Sequence, residues 1–92
     1  NLFRPPYARI GTNQARVLNE RYRTIMWSII SRDYNRSLSG DACARNVIPY
    51  LEPGSIIVFH DSIKCAQNLF IALPQVLEAI KAIGLVCNRI EL

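Results

Sequence analysis

The sequence predicts an α/β fold in which buried parallel strands alternate with helices. Residues 24–30 and 55–59 are nearly continuous runs of apolar and β-branched side chains, as is typical of strands covered on both faces. Residues 43–51 and 73–83 instead have apolar side chains at helical spacing. Alternating helices and buried strands indicate a parallel sheet with helices outside it, either an open α/β sheet or part of a βα barrel.

Capping and breaking residues predict where the first two helices begin and end. After the paired prolines near the N-terminus, Thr12 offers an N-cap for a helix through about Tyr22. Ser39 or Asp41 can cap a second helix, and Pro49 is expected to kink it or end it early. Residues 52–54 (EPG) predict a turn before the strand at 55–59.

A third helix is predicted over residues 73–83, followed by a last strand over 85–92. Pro74 is tolerated in a first helical turn, and Gly84 is a typical C-terminal stop. The apolar face expected to pack on the sheet consists of Leu73, Val76, Leu77, Ile80 and Ile83. The whole chain is therefore predicted to be one domain or part of one, since so few units cannot close the usual barrel of about eight strands.

Composition excludes few classes of protein. The net charge of +4 comes from nine arginines and two lysines scattered along the chain, which is typical of a solvated surface, so nucleic-acid binding is not expected. Cys43, Cys65 and Cys87 lack the spacing of a zinc site or a disulfide framework, which leaves the cellular compartment open. No apolar stretch approaches the roughly 20 residues of a transmembrane helix, and residues 1–6 have no signal-peptide layout.

Polar side chains follow the predicted strands at the points where catalytic groups gather in parallel α/β folds. Arg4 follows the extended N-terminal segment, Asp33 follows residues 24–30, and His60 and Asp61 follow residues 55–59. Because the carboxyl ends of parallel strands meet at one edge of a sheet, we expect these groups to converge. The pattern favours acid–base chemistry or anion binding.

Each of these residues also has a simpler interpretation. His60 is the only histidine of the sequence, and a carboxylate within hydrogen-bond reach would fix its tautomer and favour the protonated ring of a general acid. Taken alone, a strand-end histidine is more often structural than functional. Asp33 on its own is more often a turn or capping residue, Arg4 could be a surface charge, and Tyr34 could serve either loop packing or sugar stacking.

Three segments, taken together, resemble the last three motifs of the polysaccharide deacetylase domain, also called family 4 carbohydrate esterase. They are residues 3–7 (FRPPY), the pair WS at 27–28 leading to SRDY at 31–34, and residues 53–62 (PGSIIVFHDS). The resemblance covers essentially the whole chain and extends to its tail, where a Leu-Pro pair opens an amphipathic helix. It implies the C-terminal part of a distorted, seven-stranded parallel βα barrel, with residues 1–92 as the C-terminal half of the catalytic domain.

The resemblance also implies an activity. Members of this family are metal-dependent hydrolases that remove N-acetyl groups from amino-sugar polysaccharides such as chitin or peptidoglycan, often at the cell envelope or outside the cell. By analogy, His60 protonates the departing amine, and Asp33 orients the imidazole ring of His60 and keeps it in its positively charged form. Arg4 pairs with the catalytic-base aspartate, Tyr7 offers its backbone N–H to the oxyanion, and Val58 lines the pocket for the acetyl methyl group.

Tyr34 and Asp61 complete the set of residues expected to contact the substrate. The family motifs that supply the base and the Asp-His-His ligands of the divalent metal, zinc or a similar ion, precede residues 3–7 and are absent from these 92 residues. We therefore expect the ligands outside this chain, the missing N-terminal half as a partner, and an inactive isolated fragment. Ile30 and Tyr34 stand where many members have aspartate and tryptophan, and Ala8 replaces a common glycine.

Two other functions remain open at this point. One is a degenerate, non-catalytic carbohydrate-binding homologue that keeps the edge residues without the metal motif. The other is an arginine-rich module for an acidic partner, whose binding would weaken steeply with salt.

Overall fold

Short parallel strands alternate with helices, as the sequence predicts for an α/β fold. The computed structural model describes residues 1–5 and 9–90. Its elements are β1 (Leu2–Phe3), α1 (Thr12–Leu18), β2 (Arg23–Thr24), β3 (Ile29–Ile30), α2 (Gly40–Arg45), β4 (Ile57–Val58) and α3 (Ala66–Ala82), with two short 3₁₀ helices at Ile48–Tyr50 and Ile63–Cys65. No helix of these described residues combines the length and apolarity that crossing a bilayer requires.

The strands form two parallel pairs within the described residues. β1 pairs with β2, and β3 pairs with β4 so that Ile29 lies opposite Ile57 and Ile30 opposite Val58. The predicted continuous strand over residues 24–30 is wrong, because β2 and β3 are separated by residues 25–28. The backbone N–H groups of Ser28 and Ile29 both donate to the carbonyl of Ile56. Two residues therefore lie opposite one, which interrupts the regular ladder of hydrogen bonds between strands.

The core lies between the β3–β4 pair and the helices α2 and α3. One cluster of buried side chains is Ile29, Val47, Val76 and Ile80, and a second is Cys43, Ala44 and Ala72. Gly40 begins α2 where a Cβ atom would overlap the side chain of Ile71 on α3. The absence of a side chain there lets the two helices approach closely.

The predictions for the first two helices hold in part. The N-cap of α1 is Gly11, one residue before the predicted Thr12. The helix ends at Leu18, before the predicted end near Tyr22. The backbone N–H of Gly11 donates to Gln14 Oε1 at 2.9 Å. Ser39 caps α2 as expected, since its hydroxyl accepts the N–H of Ala42 at 3.0 Å.

The predicted break after α2 and the turn that follows it are also seen. Pro49 lies in a 3₁₀ turn beyond the end of α2. At residues 52–54, the N–H of Ser55 donates to the carbonyl of Glu52, and Gly54 adopts a φ of 85°.

Helix α3 differs most from its prediction. It begins at Ala66, so Pro74 lies inside the helix rather than in its first turn. Its buried residues are Asn68, Ala72, Val76 and Ile80, spaced by four as one helical face requires. Leu77 and Ile83, predicted on that face, are 49% and 56% exposed.

The end of α3 follows the prediction, but the segment after it does not. Gly84 stops the helix in the left-handed conformation. Residues 85–90 form no strand, and the last two residues of the predicted strand lie outside the described residues.

Candidate active site

The pairing of β3 with β4 brings Asp33 and His60 into direct contact. Both residues follow the ends of these neighbouring parallel strands. Asp33 Oδ1 lies 2.6 Å from His60 Nδ1, and Asp33 Oδ2 accepts the backbone N–H of His60 at 2.7 Å. The Asp33 side chain is fully buried, whereas that of His60 is 36% exposed. The carboxylate therefore holds the backbone and the ring of the same residue.

The turn after β3 aims the Asp33 carboxylate at His60. Arg32 adopts the left-handed conformation with φ 62°, which is uncommon for a residue other than glycine, and its carbonyl accepts the N–H of Asn35 at 3.0 Å to close the turn. The buried Ser31 hydroxyl donates to the carbonyl of Val58 at 3.0 Å and accepts the N–H of Asp33 at 3.3 Å. The turn is thus tied to the strand that carries His60.

This geometry suits proton transfer by the imidazole ring. A carboxylate at Nδ1 favours the tautomer with the proton on that nitrogen. Nε2 is then the ring nitrogen left for a ligand. The ring of Tyr34 lies edge-on to the imidazole, with centroids 5.6 Å apart and an interplanar angle of 88°, which limits the orientations open to His60.

A cleft of about 850 Å³ surrounds the exposed side of His60. Its walls are formed by Arg4, Pro5, Trp27, Ile30, Tyr34, Val58, His60, Ser62, Lys64 and Cys65. The structure therefore places Arg4, Tyr34 and Val58 around one opening with His60, although they are far apart in sequence. Two cationic side chains, Arg4 and Lys64, stand on these walls beside several apolar groups.

The remaining predicted residues are placed differently. Asp61 is exposed and is not one of the residues that form the cleft wall. Tyr7 lies outside the described residues. The functional roles of Asp61 and Tyr7 stay predictions.

Sequence reasoning missed three residues that shape the site. Ser31 ties the Asp33 turn to β4, Asn68 donates to the carbonyl of Asp33, and Cys65 lines the cleft. Asn68 had a detectable signal, because it precedes Ala72, Val76 and Ile80 at the spacing of one helical face and is the polar member of that set. Recognising it required the correct start of α3.

Three side chains that could ligate a metal ion lie together at the cleft. The candidate ligand atoms of Asp33, His60 and Cys65 lie within 4.8 Å of one another. Both oxygens of Asp33 are already bonded to His60, and Cys65 Sγ accepts a hydrogen bond from the Ser62 hydroxyl at 3.2 Å. An ion held by all three side chains would compete with these hydrogen bonds for Asp33 and Cys65.

Comparisons with known proteins relate this chain to a carbohydrate esterase. No family model matches the sequence, and no curated protein gives a significant match. Among solved structures, a family 4 carbohydrate esterase from Streptomyces lividans in complex with acetate matches 98% of this chain at 28% identity, with a TM-score of 0.80. The chain spans 45% of the length of that structure. The resemblance predicted from the sequence motifs is therefore confirmed, and the chain is similar in fold to part of a family 4 carbohydrate esterase.

Proposed function

We propose that this chain is the C-terminal part of a metal-dependent hydrolase that removes N-acetyl groups from an amino-sugar polysaccharide, of the chitin or peptidoglycan type. The observation that carries the proposal is the Asp33–His60 pair at the edge of a cleft, in a chain that aligns with a family 4 carbohydrate esterase. The two parallel strand pairs would belong to a distorted βα barrel. The remainder of that barrel would be contributed by an N-terminal half outside these residues.

His60 is proposed to act as the general acid. Cleavage of an amide releases an amine that is a poor leaving group until it is protonated, and a protonated imidazole can supply that proton. Asp33 holds the ring through Nδ1, stabilises its protonated form and leaves Nε2 to deliver the proton. The bond from the His60 backbone to Asp33 Oδ2 fixes the strand end together with the ring.

The cleft wall supports proposed roles for Val58, Tyr34 and Arg4, while those of Tyr7 and Asp61 rest on the family resemblance. Val58, Trp27 and Ile30 offer an apolar surface on which an acetyl methyl group could pack, and Tyr34 offers an aromatic edge at the opening. Arg4 places a positive charge in the cleft, where it could pair with a catalytic-base aspartate. Tyr7 is proposed to donate its backbone N–H to the oxyanion, and Asp61 to contact the sugar.

The related structure also bears on the reaction. It contains acetate, which is the product that deacetylation would release. The divalent metal expected for this chemistry, zinc or a similar ion, is proposed to be held by residues outside this chain, as the resemblance to the family implies. The same reasoning predicts that the 92 residues alone do not turn over substrate.

The test is a His60→Ala substitution in the complete catalytic domain. Loss of a general acid lowers turnover of an N-acetylated oligosaccharide by roughly 10²–10⁴-fold, with the circular dichroism spectrum unchanged. Glu78→Gln, at an exposed position on α3, is the matched control and is expected to retain wild-type turnover. Turnover of His60→Ala within a few-fold of wild type would refute the assignment.

A non-catalytic carbohydrate-binding homologue is a distinct outcome of the same measurements. It predicts that the wild-type domain binds N-acetylated oligosaccharides but releases no acetate at any metal concentration. That result would replace catalysis with recognition as the function of the cleft.

A further inference from the structure

Side-chain amides hold the backbone of the loop that carries Asp33. Beyond β3, the carbonyl of Ser31 accepts a hydrogen bond from Asn46 Nδ2 at 3.0 Å. Asn68 Nδ2 donates to the carbonyls of Asp33 at 3.3 Å and Asn35 at 3.1 Å. The side-chain amides of Asn46, at the end of α2, and Asn68, in α3, thus donate hydrogen bonds to every second backbone carbonyl of the loop. Within a sheet, a neighbouring strand would supply such donors.

Packing alone does not account for Asn68. It is 7% exposed and stands on the same buried face of α3 as Ala72, Val76 and Ile80. A buried amide is unfavourable unless it is hydrogen-bonded, and an apolar residue would serve the core at this position equally well. The two hydrogen bonds from Asn68 to the loop that carries Asp33 account for a polar side chain at this position, whereas burial alone does not.

We propose that Asn68 is a positioning residue for the general-acid pair, an inference that rests on the proposed function of Asp33 and His60. By fixing the carbonyls of Asp33 and Asn35, Asn68 sets the direction in which the Asp33 carboxylate points. Asn68 follows His60 by only eight residues, through the 3₁₀ helix Ile63–Cys65. One short segment therefore carries the histidine and also holds its carboxylate partner, which couples the start of α3 to the geometry of the pair.

A purely structural role for Asn68 predicts a different result. If the amide only stabilised the fold, its loss would lower the free energy of unfolding and leave the Asp33–His60 bond unchanged in the molecules that remain folded. His60 is the single histidine of these 92 residues. When the ¹⁵N label of the complete domain is confined to them, all labelled imidazole signals in an NMR spectrum come from His60.

The experiment compares Asn68→Leu with Gln75→Leu in the complete catalytic domain labelled in this way. Leucine has the same branched arrangement of heavy atoms as asparagine and removes both amide hydrogens. Gln75 lies on α3 and also donates through its amide, to Asp41 Oδ1 at 2.8 Å, but on the exposed side. We expect Asn68→Leu to lose the slowly exchanging Nδ1–H signal of His60 and to shift the ring towards the Nε2–H tautomer, whereas Gln75→Leu matches wild type. Unchanged His60 signals in folded Asn68→Leu would overturn the proposal.

A second variant keeps the proposal testable if leucine prevents folding. Asn68→Ser retains a small polar group that cannot reach both carbonyls, and the same two NMR outcomes decide the question. In the complete domain, a misdirected acid lowers kcat by roughly 10- to 100-fold with little change in KM. Should the wild-type domain prove inactive, the proposed function fails, while the His60 signals of the variants still decide whether Asn68 positions the pair.

Discussion

Replacing Asp33 by asparagine or by alanine is expected to separate the stability of the site from its chemistry. Asparagine keeps an oxygen for the backbone N–H of His60, now bonded at 2.7 Å to Asp33 Oδ2. Alanine leaves that N–H without its acceptor, which costs about 1–3 kcal/mol, and the cavity left by the carboxyl group adds about 1 kcal/mol. Asp33→Ala is therefore expected to be less stable than Asp33→Asn by about 2–4 kcal/mol.

The chemistry of the two variants is expected to be equally impaired. When the asparagine oxygen accepts the backbone N–H, its amide group faces His60 Nδ1, which must then act as an acceptor and leave the proton on Nε2. Neither variant retains the anion that stabilises the protonated ring. We expect both to lose the Nδ1–H tautomer and a comparable part of the roughly 10²–10⁴-fold contribution of a general acid.

Urea unfolding measures the first expectation, and NMR of the single histidine measures the second. Equal midpoints for the asparagine and alanine variants, at equal m-values, would show that the bond to the His60 backbone does not contribute as described. A wild-type tautomer in Asp33→Asn would show that Asp33 does not set the state of the ring.

Two further predictions concern the packing behind the site. Burial, reinforced by the charge of Asp33, raises the pKa of the Cys43 thiol above its ordinary value of 9.0. The stability that follows from this shift is present below pH 9 and is lost as pH rises through the pKa of the folded state. In urea unfolding at increasing alkaline pH, the free energy of unfolding should therefore fall more steeply for wild type than for Cys43→Ala. Parallel declines would contradict this. Gly40→Ala places a methyl group against Ile71 and is expected to cost about 1–3 kcal/mol. The double variant Gly40→Ala/Ile71→Ala should be more stable than the sum of the single effects by about 1 kcal/mol, whereas strict additivity would exclude the contact as the cause.

The meeting of Asp33 and His60 could be anticipated from the sequence because it depends on a few strong regularities. Two buried apolar runs predict neighbouring strands, and parallel strands end at the same edge of a sheet. The pairing of Ile30 with Val58 follows that expectation. The left-handed Arg32 has no comparable sequence signal, since arginine is not a residue that typically favours this conformation.

The boundaries of α3 and of the central strands were harder to anticipate, for two physical reasons. Pro74 is a common first-turn residue, so the pattern favours a helix start just before it, but the packing of Ala72 and the hydrogen bonds of Asn68 stabilise a helix that begins at Ala66. In the run 24–30, side-chain periodicity does not reveal that the hydroxyl of Ser28 accepts the N–H of Ile56 at 2.9 Å. Both outcomes depend on contacts between residues distant in sequence.

The start of α3 determines how the loop that carries Asp33 is held. A helix that starts at residue 73 would leave the carbonyls of Asp33 and Asn35 without the amide of Asn68, and the loop after β3 would have fewer constraints on its direction. With the earlier start, Asn68 lies in α3 and donates to the backbone carbonyl of Asp33. The residue that follows β4, His60, brings its imidazole against the Asp33 carboxylate. His60, its carboxylate partner and the amide that holds the backbone of that partner come from the segments after β4 and β3 and from α3, so we expect a change at the start of α3 to alter the geometry of the pair.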